Sequence, residues 1–135
     1  MATTDNTLLI IERAHRGAVE TQFADTLFFV RELHRQSGGL HVALRGLAAS
    51  YAVDTPYDTP YEAALRIAGR TLDTLPDPRR LLRQLLDDGA TVFVEEADLS
   101  ALGARARERL LPGVRRVTGA ELVSRWSDYA RVWFF

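Results

Sequence analysis

Five short apolar runs, each set off from the next by a segment with helical periodicity, constrain this 135-residue chain more than any other feature. The first, Leu8-Leu-Ile-Ile11, has no polar residue in alternation. A strand with one face in water alternates, so a continuous run marks a strand covered on both faces, as in a parallel sheet flanked by helices. His41-Val-Ala-Leu-Arg45, Thr91-Val-Phe-Val94, Val114–Val117 and Arg131-Val-Trp-Phe-Phe135 are short, mostly apolar runs containing β-branched or aromatic residues. The spacing predicts five parallel strands near residues 8–14, 40–46, 91–95, 114–117 and 131–135, joined by right-handed crossovers. A single α/β domain over residues 8–135 follows, with residues 1–7 expected to be a flexible N-terminus.

The connecting segments carry helix starts and stops. Val19, Phe23, Leu27, Val30 and His34 recur at steps of three or four, so they share one helix face, and Ser37-Gly-Gly39 ends that helix. Thr59-Pro60 with Glu62 is a helix start, and Pro76 and Pro78 end the helix. Arg79–Asp88 is a further helix with Leu81, Leu82, Leu85 and Leu86 inward, stopped by Gly89. Ser100 is expected to cap a helix through Leu111, and Thr118 with Glu121 to start another with Leu122, Val123 and Trp126 inward. Leu47–Thr59, rich in turn residues, reads as a long loop.

Composition removes several kinds of chemistry. The sequence has no cysteine, so it forms no disulfide, thiolate nucleophile, persulfide or Cys-ligated zinc site. All 17 basic residues are arginine, which excludes a Schiff-base lysine and a P-loop lysine. A net charge of −1 offers no field to hold nucleic acid or an anionic membrane. The pairs Arg79–Arg80 and Arg115–Arg116 sit among acids and read as solvated faces. No run is long enough for a signal segment or a membrane span, so a cytoplasmic location is expected. No phosphate cradle follows the first strand and no HxH or HExxH spacing occurs, so neither a cofactor nor a metal is expected.

The segment Gly89-Ala-Thr-Val-Phe-Val-Glu-Glu-Ala-Asp-Leu-Ser-Ala-Leu-Gly103 resembles the strand and turn of the DsrE/DsrF-like (TusD-like) sulfur-relay family, where a glycine and a hydrophobic strand lead to the sulfur-carrying cysteine. Gly89, Val92, Leu99 and Gly103 match in spacing. Glu95 stands where the resemblance places that cysteine, and Asp98 where a second cysteine is sometimes found. Leu102 replaces the usual arginine before the glycine. Element order and length match over nearly the whole chain, which on this resemblance is a member lacking the catalytic cysteine. The resemblance implies a flavodoxin-like three-layer sandwich around a five-stranded parallel sheet, and assembly into dimers, trimers or mixed hexamers.

In such a sheet, ligands bind beyond the carboxyl ends of the strands where the strand order reverses. With an order of 2-1-3-4-5, that point lies between strands one and three. Arg13, His15 and Arg16 leave strand one, Glu95, Glu96 and Asp98 leave strand three, and Tyr51, Asp54 and Tyr57 come from the loop after strand two. Glu95 is the candidate general base and His15 the candidate acid. Arg13, Arg16, Tyr51, Asp54, Tyr57, Glu96 and Asp98 are the candidate residues for binding a small anionic ligand. The competing reading is that polar strand ends reach water and their charges pair with one another. His34 is expected to be a packed, hydrogen-bonded histidine, and His41 carries no partner signal. Trp126, Tyr129, Trp133, Phe134 and Phe135 are expected to be core, with the last strand also meeting a neighbouring subunit.

The expected role is a cysteine-less subunit that binds a small ligand or a partner protein, or serves assembly, and that self-associates as a dimer or trimer. The alternative is a small cytoplasmic enzyme of specialised metabolism doing acid–base chemistry with Glu95. A third reading is a relay subunit whose catalytic partner is another chain.

Overall fold

Each of the five apolar runs forms a strand: β1 (Thr7–Ile11), β2 (Leu40–Leu44), β3 (Thr91–Glu95), β4 (Arg115–Val117) and β5 (Arg131–Phe134). All pair in parallel within one sheet. The computed structural model describes residues 6–12, 25–54, 66–67, 70–71 and 78–135. Every residue of β1 is buried, as its unbroken apolar run requires. Thr7 is already in the strand, paired with Leu40 and Arg131.

The order across the sheet is β4-β3-β2-β1-β5, which corrects the expected 2-1-3-4-5. β2, not β1, is the central strand. The physical reason lies in the residues: β4 opens with exposed Arg115 and Arg116, and β5 is largely exposed, so both suit an edge. The order reverses between β1 and β5, so the switch point lies there and not beside β3.

Helices cover the two faces unequally. One face packs α1 (Asp25–Ser37), a 3-10 helix (Gly46–Ala52), α2 (Pro78–Asp87), α3 (Glu96–Ala101) and α4 (Ala104–Glu108). Leu27, Val30, Leu82, Leu85, Leu99 and Ala106 bury there against Leu9, Ile11, Val42, Leu44, Val92 and Val94. Among the described residues, the opposite face carries α5 (Gly119–Ser124) and a 3-10 turn (Trp126–Asp128), whose Leu122 and Trp126 cover Leu8, Ile10, Ala43, Phe93 and Val117. Same-handed crossovers explain this: steps β1 to β4 all move one way and lay their helices on one side, and only the return to β5 uses the other.

Three expectations change in detail. The stretch after β2 does not begin as a loop, because Ala48, Ala49, Ser50, Tyr51 and Ala52 bury in the 3-10 helix. Ser100 caps nothing, since α3 already starts at Glu96, and Gly103 at φ +112° separates it from α4. Val123 is exposed, not inward. The stop after α1 is as expected, with Gly38 at φ +64° donating its N–H to the His34 carbonyl at 2.9 Å. Thr118 caps α5 by accepting from the Glu121 N–H at 3.1 Å. A two-stranded ribbon, Arg66–Ile67 with Arg70–Thr71, lies outside the sheet. The helix start at Thr59-Pro60 lies outside the described residues, but the helix expected to run on to Pro76 is overturned by this ribbon, whose two strands pair antiparallel.

Candidate functional site

The carboxyl ends of β1, β2 and β3 carry a row of polar groups joined by hydrogen bonds and an ion pair. Glu95, the last residue of β3, is only 9% exposed. It is also the N-cap of α3: its carboxyl accepts from the Ala97 N–H at 3.3 Å and the Asp98 N–H at 3.2 Å, two donors that a helix start leaves unpaired. Gly119, opening α5, comes so close that a Cβ there would lie 3.6 Å from Glu95 Oε1. The carboxyl is thus enclosed between the starts of two helices.

Asp98 links β3 to β2. Its Oδ2 accepts from the Gly46 N–H at 2.8 Å, just past the end of β2. The Asp98 carboxylate also shares a hydrogen bond with the Glu95 side chain, which raises the Glu95 carboxyl above its ordinary 4.5. Burial and the Asp98 charge push the same way, against the two N–H groups. Asp98 is lowered below 3.8 by the same bond, by the Gly46 N–H and by the nearby Arg45 guanidinium, against burial. The shared bond therefore favours the protonated form of Glu95 and the charged form of Asp98. Arg45 continues the row to β1, its Nη1 lying 3.4 Å from Glu12 Oε1. Its Nε is buried and has no partner among the described residues.

The structure distributes the sequence candidates unevenly. Glu95 and Asp98 do come together. They sit at the carboxyl end of β3, Glu95 in the strand and Asp98 in α3, with β2 between them and β1, so they do not flank the reversal between β1 and β5. Tyr51 does not line an open site: it is 4% exposed, inside the core. Asp54 faces α2 in an ion pair with Arg83 at 3.0 Å. Glu96 lies between Arg107 of α4 and Arg116 of β4, as expected of strand-end charges that pair with each other. Arg13, His15, Arg16 and Tyr57 lie outside the described residues.

Several participants went unnoticed in the sequence. Glu12 and Arg45 each follow a strand directly and Gly46 comes one residue later, and that position was the available signal. His41 has a partner after all, its Nδ1 lying 2.7 Å from the Tyr129 hydroxyl. No local pattern joins two residues 88 positions apart. His34 is half-buried and its Nε2 bonds the Asp88 carbonyl at 3.0 Å, in keeping with a packed, hydrogen-bonded role.

Chemically, the row can hold and share a proton. Among the described residues no group of three or more His, Asp or Glu side chains is arranged to hold a metal ion. Among them, too, no helix is long and apolar enough to cross a membrane.

No protein-family model and no curated protein matches the chain. Solved structures do. The ychN protein of E. coli superposes with a TM-score of 0.71 at 17% identity, covering 97% of this chain and 99% of that one. A conserved protein of unknown function from Bacteroides thetaiotaomicron gives 0.58 at 12% identity, covering 100% and 99%. At such identities the likeness is one of fold: a single-domain, DsrE-like α/β sandwich.

Proposed function

We propose that this chain is a non-catalytic assembly subunit: a cysteine-less protein of DsrE-like fold that associates with further copies of itself through the β5 edge and carries no sulfur. The observation behind this reading is the aromatic surface around that edge. Trp133 is 42% and Phe134 57% exposed, and they project from opposite faces of the same edge strand. Phe29 of α1, 47% exposed, meets Phe135 edge-on at 6.0 Å, and Phe134 meets Trp126 at 5.7 Å. Single exposed apolar residues are ordinary, but an edge strand apolar on both sides invites pairing.

Sedimentation velocity tests the reading. The wild-type chain is expected as a dimer or trimer of the 15.1 kDa unit, and Trp133→Glu with Phe134→Glu as a folded monomer. A wild-type monomer at high micromolar concentration refutes it.

The raised Glu95 carboxyl favours a second reading, an enzyme using this group as a proton donor. The geometry supports it less, because both carboxyl oxygens already serve as the α3 cap. Glu95→Gln keeps the shape and removes the charge. Lost turnover or ligand binding in a folded Glu95→Gln protein would overturn the non-catalytic reading.

A further inference from the structure

The face of the sheet that packs α5 carries a second group of polar side chains, apart from the carboxyl row. Its centre is Phe93 of β3, 2% exposed. The Arg125 guanidinium carbon lies 5.2 Å from the Phe93 ring centroid. His41 of β2 meets the same ring edge-on at 6.1 Å. Arg115 of β4 is in register with Phe93 and so stands beside it on the same face. Tyr129 closes the group, its ring 5.2 Å from that of His41 and its hydroxyl 2.7 Å from His41 Nδ1.

The charges here are unmatched. Among the described residues neither Arg115 nor Arg125 has an ion-pair partner, whereas Arg116, the neighbour of Arg115, reaches Glu96. Burial holds the His41 imidazole below the usual 6.5, and every charge acting on it is positive: Arg115, Arg125, and His34 from the other side of the sheet. Among the described residues, Asp128 is the carboxylate acting nearby, and it bears on Tyr129, whose hydroxyl is raised above 10.0 chiefly by burial. Like charges gathered over an apolar floor repel one another until an anion joins them.

We propose that this face binds a small dianion, a phosphate group either free or as the head of a phosphomonoester, held between Arg115 and Arg125 with Phe93 as floor and His41 beside it. Two guanidinium forks from separate elements offer more donors than one carboxylate accepts, and they match the oxygens and double charge of phosphate. The His41–Tyr129 pair adjusts to the anion without breaking. The hydroxyl donates to Nδ1 of the neutral ring and accepts from it once the ring is protonated. A bound dianion favours the charged imidazole, so binding of the dianion moves the His41 midpoint upward.

Isotope-labelled protein titrated with sodium phosphate or glycerol 1-phosphate, against sodium chloride at matched ionic strength, tests the site by NMR of the His41 ring. Saturable binding is expected, with the His41 midpoint moved upward. Arg115→Gln and Arg125→Gln alter exposed residues and each weaken binding on the order of tenfold. The double variant abolishes the His41 response, and Arg80→Gln, exposed on α2, leaves affinity unchanged. Tighter binding of the ester assigns the site to a phosphomonoester, and tighter binding of the inorganic ion to free phosphate. If chloride reproduces the His41 response, or phosphate still binds the double variant, the proposal is overturned.

Discussion

Gly46 is the point at which one added methyl group disturbs the carboxyl row most. Its φ is +54°, and a Cβ there would lie 2.9 Å from the Glu12 carbonyl oxygen, inside any real contact. For Gly46→Ala, the left-handed conformation alone costs about 1–2 kcal/mol. Glu12 cannot easily yield, because its own N–H is bonded to the Phe135 carbonyl at 3.3 Å. Residue 46 must therefore shift, which lengthens the 2.8 Å bond to Asp98. That bond, to a charged but partly solvated acceptor, adds about 1 kcal/mol. The sum is about 2–3 kcal/mol. With an unfolding entropy of about 2.1 cal/mol/K per residue over 135 residues, the melting temperature falls by about 7–11 °C. Scanning calorimetry reads this directly. Asp98→Ala removes the bond without the strained φ and is expected to reproduce only the smaller part. A Gly46→Ala protein melting within about 2 °C of wild type would refute the reasoning.

The Glu95–Asp98 pair fixes a pH signature. Glu95 is raised above 4.5, so its contribution to stability is present below 4.5 and lost as pH rises through the folded value. Asp98 is lowered below 3.8, so its contribution is present above 3.8 and lost as pH falls through the folded value. The stability difference between wild type and Glu95→Ala is thus greatest between 3.8 and 4.5 and shrinks toward neutrality; a difference that grows toward pH 7 in urea titrations contradicts this. Thr118→Ala removes the α5 cap and is expected to cost about 1 kcal/mol by the same titration; no measurable loss would mean water replaces the cap. Incubation with a cysteine desulfurase and labelled cysteine should leave the intact chain unlabelled, because it has no thiol to attack a persulfide. A covalent sulfur adduct found by mass spectrometry would show that chemistry to be wrong.

Local signals in the sequence were read well where one residue type dictates one conformation. The unbroken run Leu8–Ile11 could only be a doubly covered strand, and Gly38 had to follow α1 because its φ is +64°. Thr118 with Glu121 marked a true cap. Relations between strands were not legible in the same way, since nothing in a strand names its neighbour. The exposed arginines of β4 were a clue to an edge, but they were absorbed into a charge count. Glu95 shows the limit most clearly. Its place at a strand end pointed to a reactive carboxylate, yet the same place is the start of α3, whose free N–H groups engage it as a cap. The His41–Tyr129 bond depends on the chain's last crossover and has no local trace.

That last crossover also accounts for where the unspent surface lies. Had the order been 2-1-3-4-5, with β1 inside and crossovers turning both ways early, both faces would have received long helices. With β4-β3-β2-β1-β5, among the described residues one face takes α1 to α4, and the other takes α5 and a 3-10 turn. The described cover shields Leu8, Ile10 and Phe93, while Phe134, which meets Trp126 at its rim, and Arg115 stay exposed. The aromatic edge and the arginine group lie on the two sides of this described layer. A second copy at the β5 edge and an anion at β3–β4 would each complete it with matching chemistry, apolar against apolar and charge against charge. Because β2 and β1 separate the two ends, a charge change at Arg115 should leave the oligomer intact, and glutamates at 133 and 134 should leave phosphate binding intact. Coupling between the two, measured as a change in phosphate affinity on dissociation, would mean that the layer acts as one surface.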